Sequence, residues 1–305
     1  MTLPIQSGTI VPARRRWVTR RGIVTAGAGA LAVAAAGAGY AFVLEPTELT
    51  VQPYALTPPG WPADHRLTIT VIADLHAGGP DMTLRHVQHV VDTAQALRSD
   101  LIVLLGDFKA WYRHFKWNPI ADPVWAEQLA RLSAPLGVWS ILGNHDWWHD
   151  LDGVREALAT VHIPLLENDA VLLGPPGQRF WLAGLGDQLA YQLSRGRFQG
   201  VDDLPGTLAR INTDDPVLLL AHEPDIFPRV PDRVALTLSG HTHGGQIRVP
   251  FLWEHFVPSR FGARFAYGHI VESNRHLIVS GGLGTSIVPA RLGVPPEIVH
   301  ITLGV

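Results

Sequence analysis

From Arg66 onward the chain alternates short apolar runs rich in Val, Ile and Leu with longer stretches in which apolar residues return every three or four positions. The short runs predict strands at 67–74, 101–107, 137–144, 179–186, 216–223, 234–241, 276–282 and 297–303. The longer ones predict helices at 84–97, 124–132 and 154–161. The first of these helices gathers Leu84, Val87, Val90, Val91, Ala94 and Leu97 on one face. Such alternation is an α/β pattern, with enough strands for two packed sheets.

The N-terminal part breaks this pattern. After Arg20 and Arg21 comes an uncharged Ala/Gly-rich run, residues 22–44, that resembles a twin-arginine export signal. A buried helix is the weaker reading, because each glycine costs a soluble helix roughly 1 kcal/mol. The run also approaches the ~20 residues that span a bilayer, while "AGA" at 36–38 offers a cleavage site, so a removed signal and a retained anchor both stay open. In either case Arg14, Arg15, Arg16, Arg20 and Arg21 are expected on the cytoplasmic side and the C-terminal domain outside the cytoplasmic membrane, in the periplasm or cell envelope. The expected organisation is a signal or anchor at 1–44, a proline-rich linker at 45–65 and a folded domain at 66–305.

Composition narrows the chemistry. The 305 residues include no cysteine, so a metal must be held by nitrogen and oxygen ligands. Residues 1–44 carry five arginines and no acid; removing them leaves 19 basic against 27 acidic residues, a formal −8. That field disfavours a nucleic-acid polymer as partner.

Several apolar runs end in polar residues able to bind metal, and in open α/β sheets ligands collect beyond the carboxyl ends of strands. "ADLH" sets Asp74 and His76 two apart, on one face if the backbone is extended. "LLGDF" offers Asp107 behind a glycine, and "LGNHDWW" offers Asn144, His145 and Asp146. "LLAHEPD" supplies His222, and "SGHTHGG" supplies His241 and His243 among glycines. Singly, each has an ordinary explanation as a turn, a helix cap or a core histidine. Together and in this order they are hard to ascribe to accident.

That ordered set resembles the signature of the calcineurin-like metallophosphoesterases, over nearly all of residues 67–303. The resemblance implies a four-layer sandwich, two packed mixed β-sheets flanked by helices, with a dinuclear metal site at the strand ends. One divalent ion would be held by Asp74, His76 and His243 and the other by Asn144, His222 and His241, with Asp107 bridging. His145 would be the catalytic histidine, and Asp146 would orient it or serve the turn. Two cations about 3.5–4 Å apart can lower the pKa of a shared water and clamp the attacking and leaving oxygens at phosphorus. Mixed imidazole and oxygen ligands suit Mn, Fe or Zn. The implied activity is phosphodiester or diphosphate hydrolysis.

The tail "GGLGTSIVPARLGVPPEIVHITL" is similar to an exported or membrane-associated bacterial branch that includes UDP-2,3-diacylglucosamine diphosphatase-like members. Two aromatic and basic loops, 108–117 and 251–265, are expected to border the metals, with His114 and His255 as candidates for substrate contact. They favour a lipid-linked or nucleotide-linked phosphoester, although packing of these loops as a lid has equal claim. The expected partners are that substrate, the twin-arginine export machinery and, if the signal is retained, the membrane. The rival readings are a phosphomonoesterase or nuclease and a catalytically silent scaffold.

Overall fold

Each expected strand is present, and all but the last stop at least two residues short of the expected end. In chain order the elements are helix α1 (Arg20–Gly39), strands β1 (Thr50–Leu56) and β2 (Leu67–Ile72), α2 (Leu84–Ala96), β3 (Leu101–Leu104), α3 (Asp122–Leu129) and β4 (Val138–Ser140). Then come α4 (Asn144–His149), α5 (Leu151–Thr160), β5 (Asp169–Leu173), β6 (Phe180–Gly184), β7 (Tyr191–Gln192), β8 (Phe198–Gln199), α6 (Leu204–Ala209) and β9 (Val217–Leu220). The chain closes with β10 (Leu236–Ser239), β11 (Gly268–Glu272), β12 (Arg275–Val279) and β13 (Glu297–Leu303). The computed structural model describes residues 20–112, 115, 117 and 119–305; Arg14, Arg15, Arg16 and His114 lie outside the described residues.

Two large sheets result, of order β1-β13-β2-β3-β4 and β11-β12-β10-β9-β6-β5, and β7 and β8 pair as a separate two-stranded sheet. Both are mixed: β2, β3 and β4 run parallel, as do β6, β9, β10 and β12, while β13 opposes β2 and β5 and β11 are antiparallel edges. Between the sheets Ile69, Val71, Leu101, Val103, Val299 and Ile301 of the first meet Leu182, Leu218, Leu220, Leu236 and Ile278 of the second. Each such side chain, fully buried, contributes about 1.5–3 kcal/mol. The outer face of the first sheet is covered by α2, α3 and α5 through Val87, Val91, Trp125, Leu129, Val154 and Leu158. The outer face of the second is covered by Ile226, Phe227 and Leu204. α2 buries the stripe its spacing predicts, and Thr83 caps it by accepting from His86 N.

The 45–65 segment departs from the expected linker. Residues 50–56 form β1, parallel to β13, with Thr50 opposite Glu297 and Leu56 opposite Leu303. Pro53 is tolerated because β1 lies at the sheet edge, where a missing N–H breaks no central ladder. The chain divides into Met1–Gly39 and Tyr40–Val305. In the first unit α1 is a single helix with Leu31 and Val33 exposed. The 21 residues Gly27–Thr47, of mean hydropathy 1.7, are long and apolar enough to cross a membrane.

Candidate metal centre

The parallel strands deliver their C-terminal ends to one place. Past β2 come Asp74 and His76, past β3 Asp107, past β4 Asn144 and His145, past β9 His222, and past β10 His241 and His243, and all are buried. Asp74 and His76 do not reach the site in extended backbone, as expected from their spacing. Their φ values are 50° and 43°, and Asp107, His241 and His243 have φ of 55°, 68° and 49°. Left-handed backbone is unfavourable for residues with a Cβ, so these turns are strained and are held by their surroundings. Strand pairing ends before them for the same reason.

Glycines make the approach possible. A Cβ on Gly106 would lie 2.2 Å from Gly143 N, and one on Gly143 would lie 2.3 Å from Asp107 Oδ1. Only glycine at both positions lets the β3 and β4 loops touch. Asp146 locks that contact: its carboxylate accepts N–H bonds from Asp107 and Gly143 through Oδ2 at 2.8 and 2.9 Å, and from Phe108 through Oδ1 at 2.8 Å. Its hydrogen bonds thus go to loop backbone, and among the described residues none reaches the His145 ring.

Ring orientations are fixed from behind. His222 Nδ1 donates to Leu105 O at 2.6 Å and His76 Nδ1 to Lys109 O at 3.2 Å, so each turns Nε2 inward. His76 Nε2 lies 3.2 Å from His243 Nε2 and 3.6 Å from Asp107 Oδ2. His243 Nε2 is 3.7 Å from Asp74 Oδ1, and His222 Nε2 is 3.3 Å from Asp107 Oδ2. His241 Nδ1 lies 2.7 Å from Asn144 Oδ1. Ligand atoms cluster within 4.8 Å of one another in four overlapping groups: Asp74, His76 and His243; Asp74, Asp107 and His222; His76, Asp107 and His145; and His222, Glu223 and His241.

Electrostatics follow from this crowding. Burial would raise the pKa of Asp107, but the imidazoles of His222, His145 and His76 outweigh it and hold the carboxyl well below its ordinary range. Burial raises Asp74, with His222 opposing. Burial pulls His222 down, yet Asp107 and Asp74 more than reverse this and raise it. His145 is pushed down to about 3, chiefly by burial, and is neutral at physiological pH.

These donors fit a divalent cation. Buried His222 Nε2 has no hydrogen-bond partner among the described residues, although it faces two carboxylates. The tautomer set by Lys109 O leaves the Nε2 lone pair of His76 turned into a buried cluster that holds two carboxylates, 3.2 Å from His243 Nε2, and a cation among these donors would offset the concentrated negative charge. Nitrogen and oxygen donors without sulfur suit first-row divalent metals.

A cavity of about 470 Å³ opens beside the cluster. Asp107, Asn144, His145, His241 and His243 line its polar end, while Trp148, Ile247, Val249, Leu252, Phe256 and Val288 make the remainder mostly apolar. The 251–265 loop thus borders the site, and His255 is exposed and outside the lining. The described part of 108–117 behaves differently: Phe108 stacks on Trp125, Trp111 stacks on His149, and Tyr112 donates to Asp81 Oδ1 at 2.8 Å. For those residues, packing is the role observed.

Other participants had no motif to announce them. Arg291 is fully buried and donates to Gly281 O, Val294 O and Gly284 O, and its Nη2 lies 3.4 Å from His243 Nδ1. An arginine inside the apolar run "IVPARLGV" was the available signal, since unpaired burial of arginine is rare. Glu223 and Asp187 form a second buried acid pair behind His222, and Ser286 Oγ sits 3.1 Å from His145 Nε2.

The model of the family described as calcineurin-like phosphoesterase matches residues 67–245. The metallophosphoesterase YkuE of Bacillus subtilis is 32% identical over 92% of this chain and 92% of its own length. The phosphodiesterase YaeI of Escherichia coli is 29% identical, covering 77% of this chain and 81% of its own. A transmembrane protein with a metallophosphoesterase domain from Danio rerio is 30% identical over 78% of this chain, which spans about half (53%) of that longer protein.

Proposed function

This chain belongs to the calcineurin-like phosphoesterase family and is a metal-dependent hydrolase of phosphoric esters, and from that premise we propose that it cleaves phosphodiester or diphosphate bonds with the strand-end residues described above. Asp74, His76 and His243 would hold one divalent ion and Asn144, His222 and His241 a second, with Asp107 between them. Mn, Fe and Zn all suit the donors. Bound there, such cations supply Lewis-acid charge at a phosphoryl oxygen and an activated water.

The protein's own residues do the remaining work. His145 is neutral, its Nε2 rests against Ser286 Oγ at 3.1 Å, and its Nδ1 has no partner among the described residues. With Ser286 Oγ–H donating to Nε2, the proton sits on Nδ1 and that N–H is left for a phosphoryl or leaving oxygen. Asp146 fixes the backbone of Asp107 and Gly143, and so sets the spacing of the β3 and β4 loops. The apolar remainder of the cavity excludes water and favours an ester carrying a lipid chain over a small polar monoester. Export through the twin-arginine route, or anchoring by the N-terminal helix, would place this activity outside the cytoplasmic membrane.

The observation that carries the reading is the inward-facing Nε2 of buried His222, 3.3 Å from Asp107 Oδ2 and 4.0 Å from Asp74 Oδ1 within a cluster of nitrogen and oxygen donors. Hydrolysis of a chromogenic diester with added Mn tests it. Asp107→Asn and His145→Ala should each lose on the order of 10²-fold or more in kcat/KM, and retention of wild-type turnover by both would reject the assignment.

A further inference from the structure

Phe256 and Ile287 line the cavity, and Phe251 precedes the lining residue Leu252 in the chain; folding explains the placement of none of the three. Phe251 is 96% exposed, Phe256 74% and Ile287 68%. They stand on two segments stitched together by Arg248 N to Leu292 O at 2.8 Å, Leu292 N to Gln246 O at 2.9 Å and Gln246 Nε2 to Ser286 O at 3.1 Å. Phe251 and Ile287 have φ of 68° and 66°. A bulky and a β-branched residue in left-handed backbone are outliers, and both are held there with their side chains in solvent. The β7–β8 hairpin extends the same margin, since Phe198 stacks on the cavity residue Trp148 at 5.4 Å and is itself exposed.

A third segment joins them. Residues Tyr40–Leu44 form a π-helical turn whose Phe42, Val43 and Leu44 are exposed. It is pinned to the loop that carries Ile287: Arg291 N donates to Ala41 O at 2.9 Å, and Val294 N donates to Glu45 Oε1 at 2.7 Å. These residues are the end of the Gly27–Thr47 stretch that is long and apolar enough to cross a membrane. The end of that stretch is therefore hydrogen-bonded to the loop that carries Ile287.

We propose that the cavity margin is a membrane-docking face: Phe251, Phe256, Ile287 and the Phe42–Leu44 turn seat in the interface of a phospholipid bilayer, so that the cavity opens toward lipid. This deepens the hydrolase reading and rests on it for substrate class, since an ester would enter with its apolar part still held by the bilayer. A bilayer is the occupant favoured over a protein because the turn hydrogen-bonded to the Ile287 loop is the end of a stretch of membrane-spanning length, and because apolar loop tips beside a polar site are what an interface accepts.

The absence of native cysteine permits a direct test. The full chain, with a single environment-sensitive fluorophore at Phe251→Cys, Ile287→Cys or Gln178→Cys, is reconstituted into phospholipid nanodiscs containing spin-labelled lipid. Gln178 is exposed and precedes β6, at the opposite end of that sheet from the site. Quenching at 251 and 287 should exceed that at 178 severalfold. Equal quenching at all three positions overturns the proposal, as does shielding of 251 by protein with no lipid quenching. In parallel, Phe251→Asp should lower turnover of a bilayer-embedded acylated diester about tenfold and leave a soluble diester unchanged, which also reports correct folding. An equal effect on both substrates counts against docking. Failure of the wild type on every diester would sink the hydrolase reading while the quenching pattern still decides the docking face.

Discussion

The floor and the margin of the cavity are opposite kinds of surface, a few residues apart in sequence. On the floor, polar side chains are buried, the rings of His222 and His76 are oriented by backbone carbonyls and that of His241 by the Asn144 amide, and left-handed residues are held by their surroundings. At the margin, large apolar side chains are exposed and packed against little. A soluble fold would place these two classes the other way round. Where both inversions occur side by side, selection for a reaction and for a surface accounts for them better than selection for stability.

Arg291 is where the two regions are joined, so its loss should have the largest effect. Arg291→Met removes the donor to three buried carbonyls and should destabilise the metal-free protein by about 3–5 kcal/mol in urea denaturation. Phe251→Asp in the same measurement should stay within about 0.5 kcal/mol. Comparable losses in the two variants would erase the distinction between floor and margin.

The floor should respond to metal, and the margin should not. Added Mn should stabilise the wild type by roughly 2–4 kcal/mol at concentrations well above its Kd. Asp74→Asn should lose most of that gain, because it weakens a charged donor without changing shape. Differential scanning calorimetry with and without chelator reads this, and an unchanged metal response in Asp74→Asn would remove that carboxylate from the site.

The smallest effect concerns the acid pair behind the floor. Burial, then Glu223, raises the pKa of Asp187 well above its ordinary value, and its Oδ2 has no hydrogen-bond partner among the described residues. A carboxyl raised on folding stabilises fully below its unfolded pKa and less as pH climbs through the folded value. Asp187→Asn does not titrate and can donate to Glu223. It should match the wild type near pH 4 and exceed it by about 1 kcal/mol at pH 8. A constant difference between the two pH values would contradict that account.

Much of this could be read from the sequence, though unevenly. The central strands carry periodic apolar runs and were all visible, and the ordered Asp, Asn and His residues marked the strand ends. β1 was hidden by Pro53 and by its neighbouring prolines, which suit an edge strand as well as a linker. β5 and β11 are half-exposed edges whose short alternation resembles loop sequence. The left-handed turns at Asp74 and His76 were not foreseeable from spacing, because either backbone course brings both side chains to the same face. Arg291 and Glu223 act through tertiary neighbours that no local pattern encodes. The 251–265 part of the margin was marked by its aromatics, while Ile287 and the exposure of Phe251 and Phe256 were not, because exposure is a property of the fold.

The Ala41 and Glu45 attachments bear on the fate of the N-terminus. A peptidase acting at 36–38 would cut upstream of both, so the mature protein would retain the turn, the edge strand and every loop they brace. Processing would then alter how long the molecule stays at one address while leaving its catalytic architecture whole.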